Sequence, residues 1–171
     1  MRTPKYGLKE NLQLRKINAV LDEEATLKVQ ARTRYFALQQ DEISSLINNL
    51  SKDKVKESLH EQLDFATYDI SDFEYKENKS SLPSIDESLN ITVSNYATVT
   101  GKRLFINPNI MTRTHRKLSA DEERKNDIEL GWEYRDVDTV EINLPPGYST
   151  ESMPADVSWI ANCGNYNRRR G

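Results

Sequence analysis

The sequence predicts a mainly β protein, an antiparallel β-sandwich with a helical insertion at about residues 41–63. Apolar and polar residues alternate along most of the chain, which is typical of strands with one solvated face. Helical spacing of apolar residues marks the insertion. Prolines and glycines follow several alternating runs, as they do at strand ends. With 171 residues, the chain is long enough for one domain with its own core.

The first two strands are predicted to form a hairpin. Apolar residues alternate from Leu12 to Leu21, a polar break follows at residues 22–25, and the alternation resumes from Leu27 to Tyr35. Within the first run the pattern slips by one residue near Lys16. We interpret the slip as a β-bulge, because one inserted residue restores the facing of a strand.

The helical insertion begins where the apolar period changes. The first stripe consists of Ile43, Leu46, Ile47 and Leu50, with Asp41 as a candidate N-cap. Ser51 is a candidate N-cap for a second stripe of Val55, Leu59 and Leu63. Two helices, or one helix bent around Ser51, both fit this pattern.

Strand patterns return after the insertion. Short alternating runs lie near residues 68–75 and 89–99, and the polar stretch 77–88 between them is predicted to be a loop. The clearest run, residues 127–134, is followed by a predicted turn at Asp136–Asp138 and a return strand from Val140 to Leu144. Pro145 and Pro146 end that strand, because proline cannot donate to a sheet.

Composition excludes several classes of function. The chain has 24 basic and 27 acidic residues, a net charge of -3, which disfavours a nucleic-acid partner. No apolar run is long enough to span a membrane, and no secretory signal follows the first residues. The single cysteine excludes an internal disulfide. Glycine-rich phosphate-binding motifs do not occur.

We predict no catalytic, metal-binding or cofactor-binding residues. His60 lies on the polar side of the second helical stripe, and His115 lies in a basic loop at residues 112–126, so both are interpreted as surface histidines. Cys163 follows both in sequence, with no base beside it to activate a thiol. The carboxylates at residues 22–24 and 136–138 are explained by turns. The basic loop carries no interleaved aromatic residues for base stacking.

Two phrases of the sequence carry a family resemblance. Residues 94–109 read SNYATVTGKRLFINPN, and residues 144–154 read LPPGYSTESMP. Together they resemble the β domain of unknown function that follows the transglutaminase-like core in large exported bacterial proteins. The resemblance implies that the catalytic Cys, His and Asp belong to the preceding core, with no counterpart here. It also implies further strands after the Gly164 and Tyr166 positions, so we expect a sandwich truncated at the C-terminus.

The expected function follows from this resemblance. The chain is expected to be a non-catalytic accessory or interaction domain that packs on a transglutaminase-like core or another envelope protein. The alternative is a free-standing binding module for a glycan or cell-envelope protein, which exposed aromatic residues such as Trp132, Tyr134 and Trp159 would favour. The related exported proteins imply a periplasmic or envelope setting, although no signal peptide is present here.

The expected organisation is a linker or disordered segment at residues 1–10, one domain at 11–163 and a basic tail at 164–171. A truncated sandwich would leave an open sheet edge, and such edges pair with other chains, so self-association is also expected.

Overall fold

The computed structural model describes residues 5–111, 131–161 and 164–170 and confirms the mainly β class with a helical insertion. The insertion forms two helices, α1 (Asp41–Asn49) and α2 (Lys52–Gln62). The strands of the described residues are β1 (Leu12–Leu21), β2 (Leu27–Phe36), β3 (Tyr68–Asn78), β4 (Ser84–Val93), β5 (Thr98–Thr100), β6 (Arg103–Phe105), β7 (Arg135–Asn143), β8 (Val157–Ala161) and β9 (Gly164–Arg168).

Five of these strands form one sheet in the order β3-β4-β2-β1-β7. Its first four strands pair antiparallel, but β7 lies parallel to β1, so the sheet is mixed rather than wholly antiparallel. Among the described residues, β5 with β6 and β8 with β9 form two separate hairpins.

The core lies on the face of the sheet that carries the odd-numbered residues of β1, β2 and β4. Ile17, Leu27 and Ile91 are almost completely buried there. Val55 and Leu59 of α2 belong to the same apolar cluster, as do Ala97 and Ile110 from the segments around β5 and β6. The second layer over the described sheet is therefore built from helix and loop, while the other sheet face is solvated.

The helical insertion is two helices rather than one bent helix. Ser51 is the N-cap of α2, as predicted, although its side chain makes no capping hydrogen bond. Asp41 is not the N-cap of α1: Gln40 is, because the short 3-10 helix Ala37–Gln40 leads directly into α1. Only α2 contributes fully buried residues to the core.

The first hairpin is confirmed, but the predicted bulge near Lys16 is wrong. β1 and β2 pair in unbroken register from Gln13 opposite Tyr35 to Leu21 opposite Leu27. The register shift that the sheet does contain lies in β3, between Ile70 and Asp72.

The predicted turn at Asp136–Asp138 is also wrong. Both aspartates lie inside β7, opposite Gln13 and Arg15 of β1. Pairing with β1 overrides the local preference of aspartate for turns, as tertiary context commonly does. Of the expected strand at 127–134, residues 127–130 lie outside the described residues, and Trp132 and Tyr134 precede β7 without being part of a strand. The strand end before Pro145 is confirmed.

Three further segments were predicted to be a loop, a basic tail and a basic loop. The expected loop at 77–88 is shorter than predicted, because β4 begins at Ser84. The segment expected as a basic tail contains β9. The basic loop at 112–126 lies outside the described residues. None of the described helices has the length and apolar character needed to cross a membrane.

Candidate functional site

A polar cluster occupies one end of the otherwise apolar core face. It consists of Arg15 on β1, Thr33 and Tyr35 on β2, Tyr75 on β3 and Glu87 on β4. The strand register brings these side chains together, because Arg15 lies opposite Thr33, Thr33 opposite Glu87, and Glu87 opposite Tyr75. Directly opposed residues of neighbouring strands project from the same sheet face.

Glu87 is the centre of this polar cluster. Its side chain is almost fully buried, with 4% of the residue surface exposed. The Tyr35 hydroxyl donates to one carboxylate oxygen at 3.1 Å, and the Tyr75 hydroxyl donates to the other at 3.0 Å. Arg15 donates to Thr33 Oγ1 at 3.0 Å and to the Tyr35 hydroxyl oxygen at 3.2 Å. Both carboxylate oxygens of Glu87 are thus committed to internal hydrogen bonds.

Burial sets the protonation of the cluster. Removal from water raises the pKa of Glu87, while Arg15 and the hydrogen bonds from the tyrosines act in the opposite direction. Burial, followed by the nearby charge of Glu87, raises the pKa of Tyr35 and of Tyr75 above the ordinary tyrosine value. The two phenols therefore stay protonated and remain donors over the ordinary pH range.

The sequence carried a signal for this cluster that our prediction misread. The apolar pattern of β1 slips because Leu12 and Leu14 lie on the solvated face, whereas Gln13 and Arg15 point to the core side. No residue is inserted. The slip marks the point where the buried face changes from apolar to polar.

Of the two histidines and the cysteine weighed as reactive candidates, only His60 lies within the described residues. His60 is exposed, as predicted, and its ring lies 5.0 Å from that of Tyr68. His115 and Cys163 lie outside the described residues. Asp22 accepts a hydrogen bond from the Thr26 amide at 2.7 Å within the β1–β2 turn, which confirms its structural role. The described residues contain no group of three metal-ligating side chains.

A second candidate site is the β8–β9 hairpin. All residues from 149 to 160 are exposed, and the described residues of the hairpin do not pack on the five-stranded sheet. Trp159 lies opposite Tyr166, and these residues are 64% and 53% exposed. Ile160, on the other hairpin face, is 78% exposed. Apolar residues therefore lie in water on both faces.

Further aromatic residues are exposed before β7. Trp132 and Tyr134 have ring centroids 5.4 Å apart, and both side chains are accessible to solvent. All three aromatic residues that we singled out in the sequence, Trp132, Tyr134 and Trp159, are thus exposed. Their exposure keeps open the alternative of a surface that stacks on sugar rings.

Residues 102–169 match the family model described as a Domain of Unknown Function with solved structure, DUF3858. A domain of unknown function is present. The matched segment spans β6 to β9. It contains the whole of the second phrase on which we based the resemblance and residues 102–109 of the first. Comparisons of the chain with curated proteins and with solved structures find no match.

The matched segment contributes one strand to the five-stranded sheet. β7 comes from the matched segment, whereas the other four strands of the sheet precede it in sequence. The matched segment is therefore joined to the N-terminal strands by a full row of parallel pairing between β7 and β1.

Proposed function

We propose that this chain is a non-catalytic accessory domain that docks on a transglutaminase-like core or an associated envelope protein through its β8–β9 hairpin. The observation that carries the proposal is the exposure of Trp159, Ile160 and Tyr166 on a hairpin that does not pack on the described sheet. A two-stranded hairpin alone is marginally stable in water, so a partner surface would stabilise it.

The distribution of polar groups supports this role. Each oxygen of the buried Glu87 carboxyl accepts a hydrogen bond from a tyrosine hydroxyl on a neighbouring strand, so the carboxyl stabilises the sheet. Throughout the described residues, no buried side-chain nitrogen or oxygen atom lacks a hydrogen-bond partner. A buried polar group held in this way fixes strand register and packing. The accessible features are instead aromatic and apolar, which is the chemistry of interface cores.

The docking role is tested by site-specific photo-cross-linking to a purified transglutaminase-like core. A photoreactive residue at Trp159 is expected to cross-link to the core, whereas one at Val20, exposed on the open face of β1, is expected not to. Equal cross-linking from both positions, or from neither, would overturn the hairpin as the docking surface.

The non-catalytic role has a separate test. The isolated chain is incubated with a peptide glutamine substrate and release of ammonia is followed. We expect no release above the level of a Cys163→Ala variant. Ammonia release that the Cys163→Ala substitution abolishes would show that the chain is an enzyme.

Binding of a glycan is the second candidate function, favoured by the paired exposure of Trp159 and Tyr166 on one hairpin face. Flat aromatic rings stack on the apolar faces of sugars. Affinity electrophoresis in gels that contain purified bacterial polysaccharide tests this candidate. If the chain binds the polysaccharide, its migration through the gel should be retarded. The retardation should be lost in a Trp159→Ala, Tyr166→Ala variant and kept in Phe105→Ala, which removes an exposed aromatic side chain from β6.

A further inference from the structure

The solvated face of the five-stranded sheet carries a line of basic side chains along β1 and β2. Lys16 of β1 and Lys28, Arg32 and Arg34 of β2 are all exposed on this face, and we term these four residues the cationic stripe. β1 and β2 contain no acidic residue. Within the described residues, only Arg34 of the four has an ion-pair partner, Asp86 of β4. The stripe therefore presents positive charge to solvent.

Two members of the cationic stripe oppose each other directly. Lys16 lies opposite Arg32, and their neighbours on the adjoining strands are the uncharged Thr139 of β7 and Ser88 of β4. Neither basic side chain forms an ion pair with a described residue. Like charges directly opposed on a sheet destabilise it. Residues that break a local rule of stability are commonly functional, so this pair points to an anionic ligand.

The length of the cationic stripe favours an extended ligand. Along β2, Arg34 lies six residues from Lys28, a separation of about 20 Å, which is too long for one compact anion to contact both ends. Arg32 and Arg34 are two residues apart, a separation of about 7 Å along the strand. Acidic side chains at alternate positions of an extended peptide repeat at the same interval and project from one face. The spacing therefore matches a peptide with alternating acidic residues.

Acidic residues on the flanking strands restrict the path of such a ligand. Asp72 and Glu74 of β3 lie opposite residues of β4 that belong to the solvated face. Glu141 of β7 lies opposite Asn18 of β1 on the same face. All three carboxylates are exposed. Negative charge on both sides of the cationic stripe disfavours an anionic chain that crosses the strands and favours one that runs along β1 and β2.

We propose that the cationic stripe binds an extended segment of a partner protein in which acidic residues alternate with neutral ones. Carboxylates of the segment pair with Lys16, Lys28 and Arg32, and a carboxylate between Lys16 and Arg32 removes their mutual repulsion. The exposed amide side chains of Asn18 and Gln30, directly opposite each other, offer hydrogen bonds between the charged positions. The inference goes beyond the proposed function, because it concerns the solvated sheet face and a second partner rather than the β8–β9 hairpin.

Fluorescence polarisation with the full chain at low ionic strength tests the proposal. The probe is a labelled peptide of glutamate alternating with threonine, and the comparison peptide has the same composition with its glutamates in one block. The alternating peptide should bind roughly threefold more tightly, because when extended it directs every carboxylate to one face. Unlabelled polygalacturonate should displace the probe less effectively than the unlabelled alternating peptide at equal carboxylate concentration. Equal affinity of the two peptides, or displacement by polygalacturonate that is at least as effective, would overturn the proposal.

Substitution locates the binding site. Lys16→Gln with Arg32→Gln should weaken peptide binding roughly tenfold, the effect of losing two exposed ion pairs. The matched control, Lys9→Gln with Lys102→Gln, removes the same charge from exposed positions outside the five-stranded sheet and should bind like the parent chain. Equal weakening by both double variants, or undiminished binding by the first, would contradict the cationic stripe as the site.

A stability measurement separates lost binding from lost folding. Without peptide, Lys16→Gln with Arg32→Gln should unfold at no lower denaturant concentration than the parent chain, because the substitutions remove two opposed like charges. Cross-linking from the Trp159 position should be the same in this variant as in the parent chain. Failure of the peptide-binding proposal therefore leaves the test of hairpin docking unaffected.

Discussion

At the scale of single residues, the polar cluster shows how a carboxyl group is accommodated in a protein core. Burial of Glu87 disfavours its ionised form, and the hydroxyls of Tyr35 and Tyr75 compensate by donating one hydrogen bond to each oxygen. Arg15 then orients Tyr35 from the β1 side. Each member depends on the others, so removal of the central acceptor affects three strands at once.

The first prediction concerns that acceptor. Glu87→Ala should lower the free energy of unfolding by roughly 2–4 kcal/mol, because both tyrosine hydroxyls lose their buried acceptor. Chemical denaturation measures the loss. Glu74→Ala, an exposed glutamate on the neighbouring strand, is the control and should change stability by no more than about 0.5 kcal/mol. Equal effects of both substitutions would contradict a structural role for Glu87.

The second prediction concerns pH. Tyr35 and Tyr75 have raised pKa values in the fold, whereas in the unfolded chain they ionise at about pH 10. Above that pH the unfolded state binds fewer protons than the folded state, so stability should fall as pH rises. Denaturant titrations in alkaline buffers measure the slope. A Tyr35→Phe, Tyr75→Phe variant should show a smaller slope than the parent chain, whereas an unchanged slope would contradict the buried location of these phenols.

At the scale of elements, Asn11 links three segments that meet at the start of β1. Its side chain is fully buried, with 0% of the residue surface exposed. The amide nitrogen donates to the carbonyl oxygens of Tyr6 and Glu133 at 3.2 and 2.9 Å, and the amide oxygen accepts from the Leu38 amide at 3.3 Å. One side chain thus fixes the entry to β1, the approach to β7 and the short helix after β2.

The third prediction follows from this link. Asn11→Ala should destabilise the fold by about 1–3 kcal/mol, since three partly buried hydrogen bonds of a fully buried side chain would be lost. Thermal unfolding and hydrogen exchange at Leu38 measure the effect. Asn18→Ala, an exposed asparagine on the open face of β1, should leave both nearly unchanged. Unaltered exchange at Leu38 in Asn11→Ala would contradict the assigned contact.

At the scale of the whole molecule, the sheet joins two parts of the sequence. Four strands of the five-stranded sheet lie before residue 102, and β7, from the family-matched segment, completes that sheet through parallel pairing with β1. Val140 and Ile142 of β7 pack against the core cluster formed mainly by the earlier strands. The matched segment therefore shares its core with the N-terminal strands.

The fourth prediction tests that dependence. Residues 102–169 expressed alone should lack a cooperative unfolding transition, because β7 would lose its pairing with β1 and expose its packed side chains. Circular dichroism during heating measures this, with the full chain as the control. A cooperative transition in the short segment would show that it folds independently of β1.

The sequence by itself determined the elements that have a strong local pattern. Alternation from Leu27 to Tyr35, helical spacing from Ile43 to Leu59 and the prolines at 145 and 146 gave the mainly β class, the helical insertion and the end of β7. These patterns are readable because side-chain period follows directly from backbone geometry. The family match agrees with the resemblance in one respect, that a domain of unknown function is present in residues 102–169.

Only the tertiary structure decided which strands pair and what their buried faces contain. The periodicity of side chains shows which side of a strand is buried, but not which strand lies beside it. The turn preference of Asp136 and Asp138 therefore led to a predicted turn where β7 in fact pairs in parallel with β1. Arg15 and Glu87 look like solvated residues in sequence, because their partners lie on other strands. Burial of a polar group depends on contacts between segments that are distant in sequence, and the polar cluster exists only once the sheet has formed.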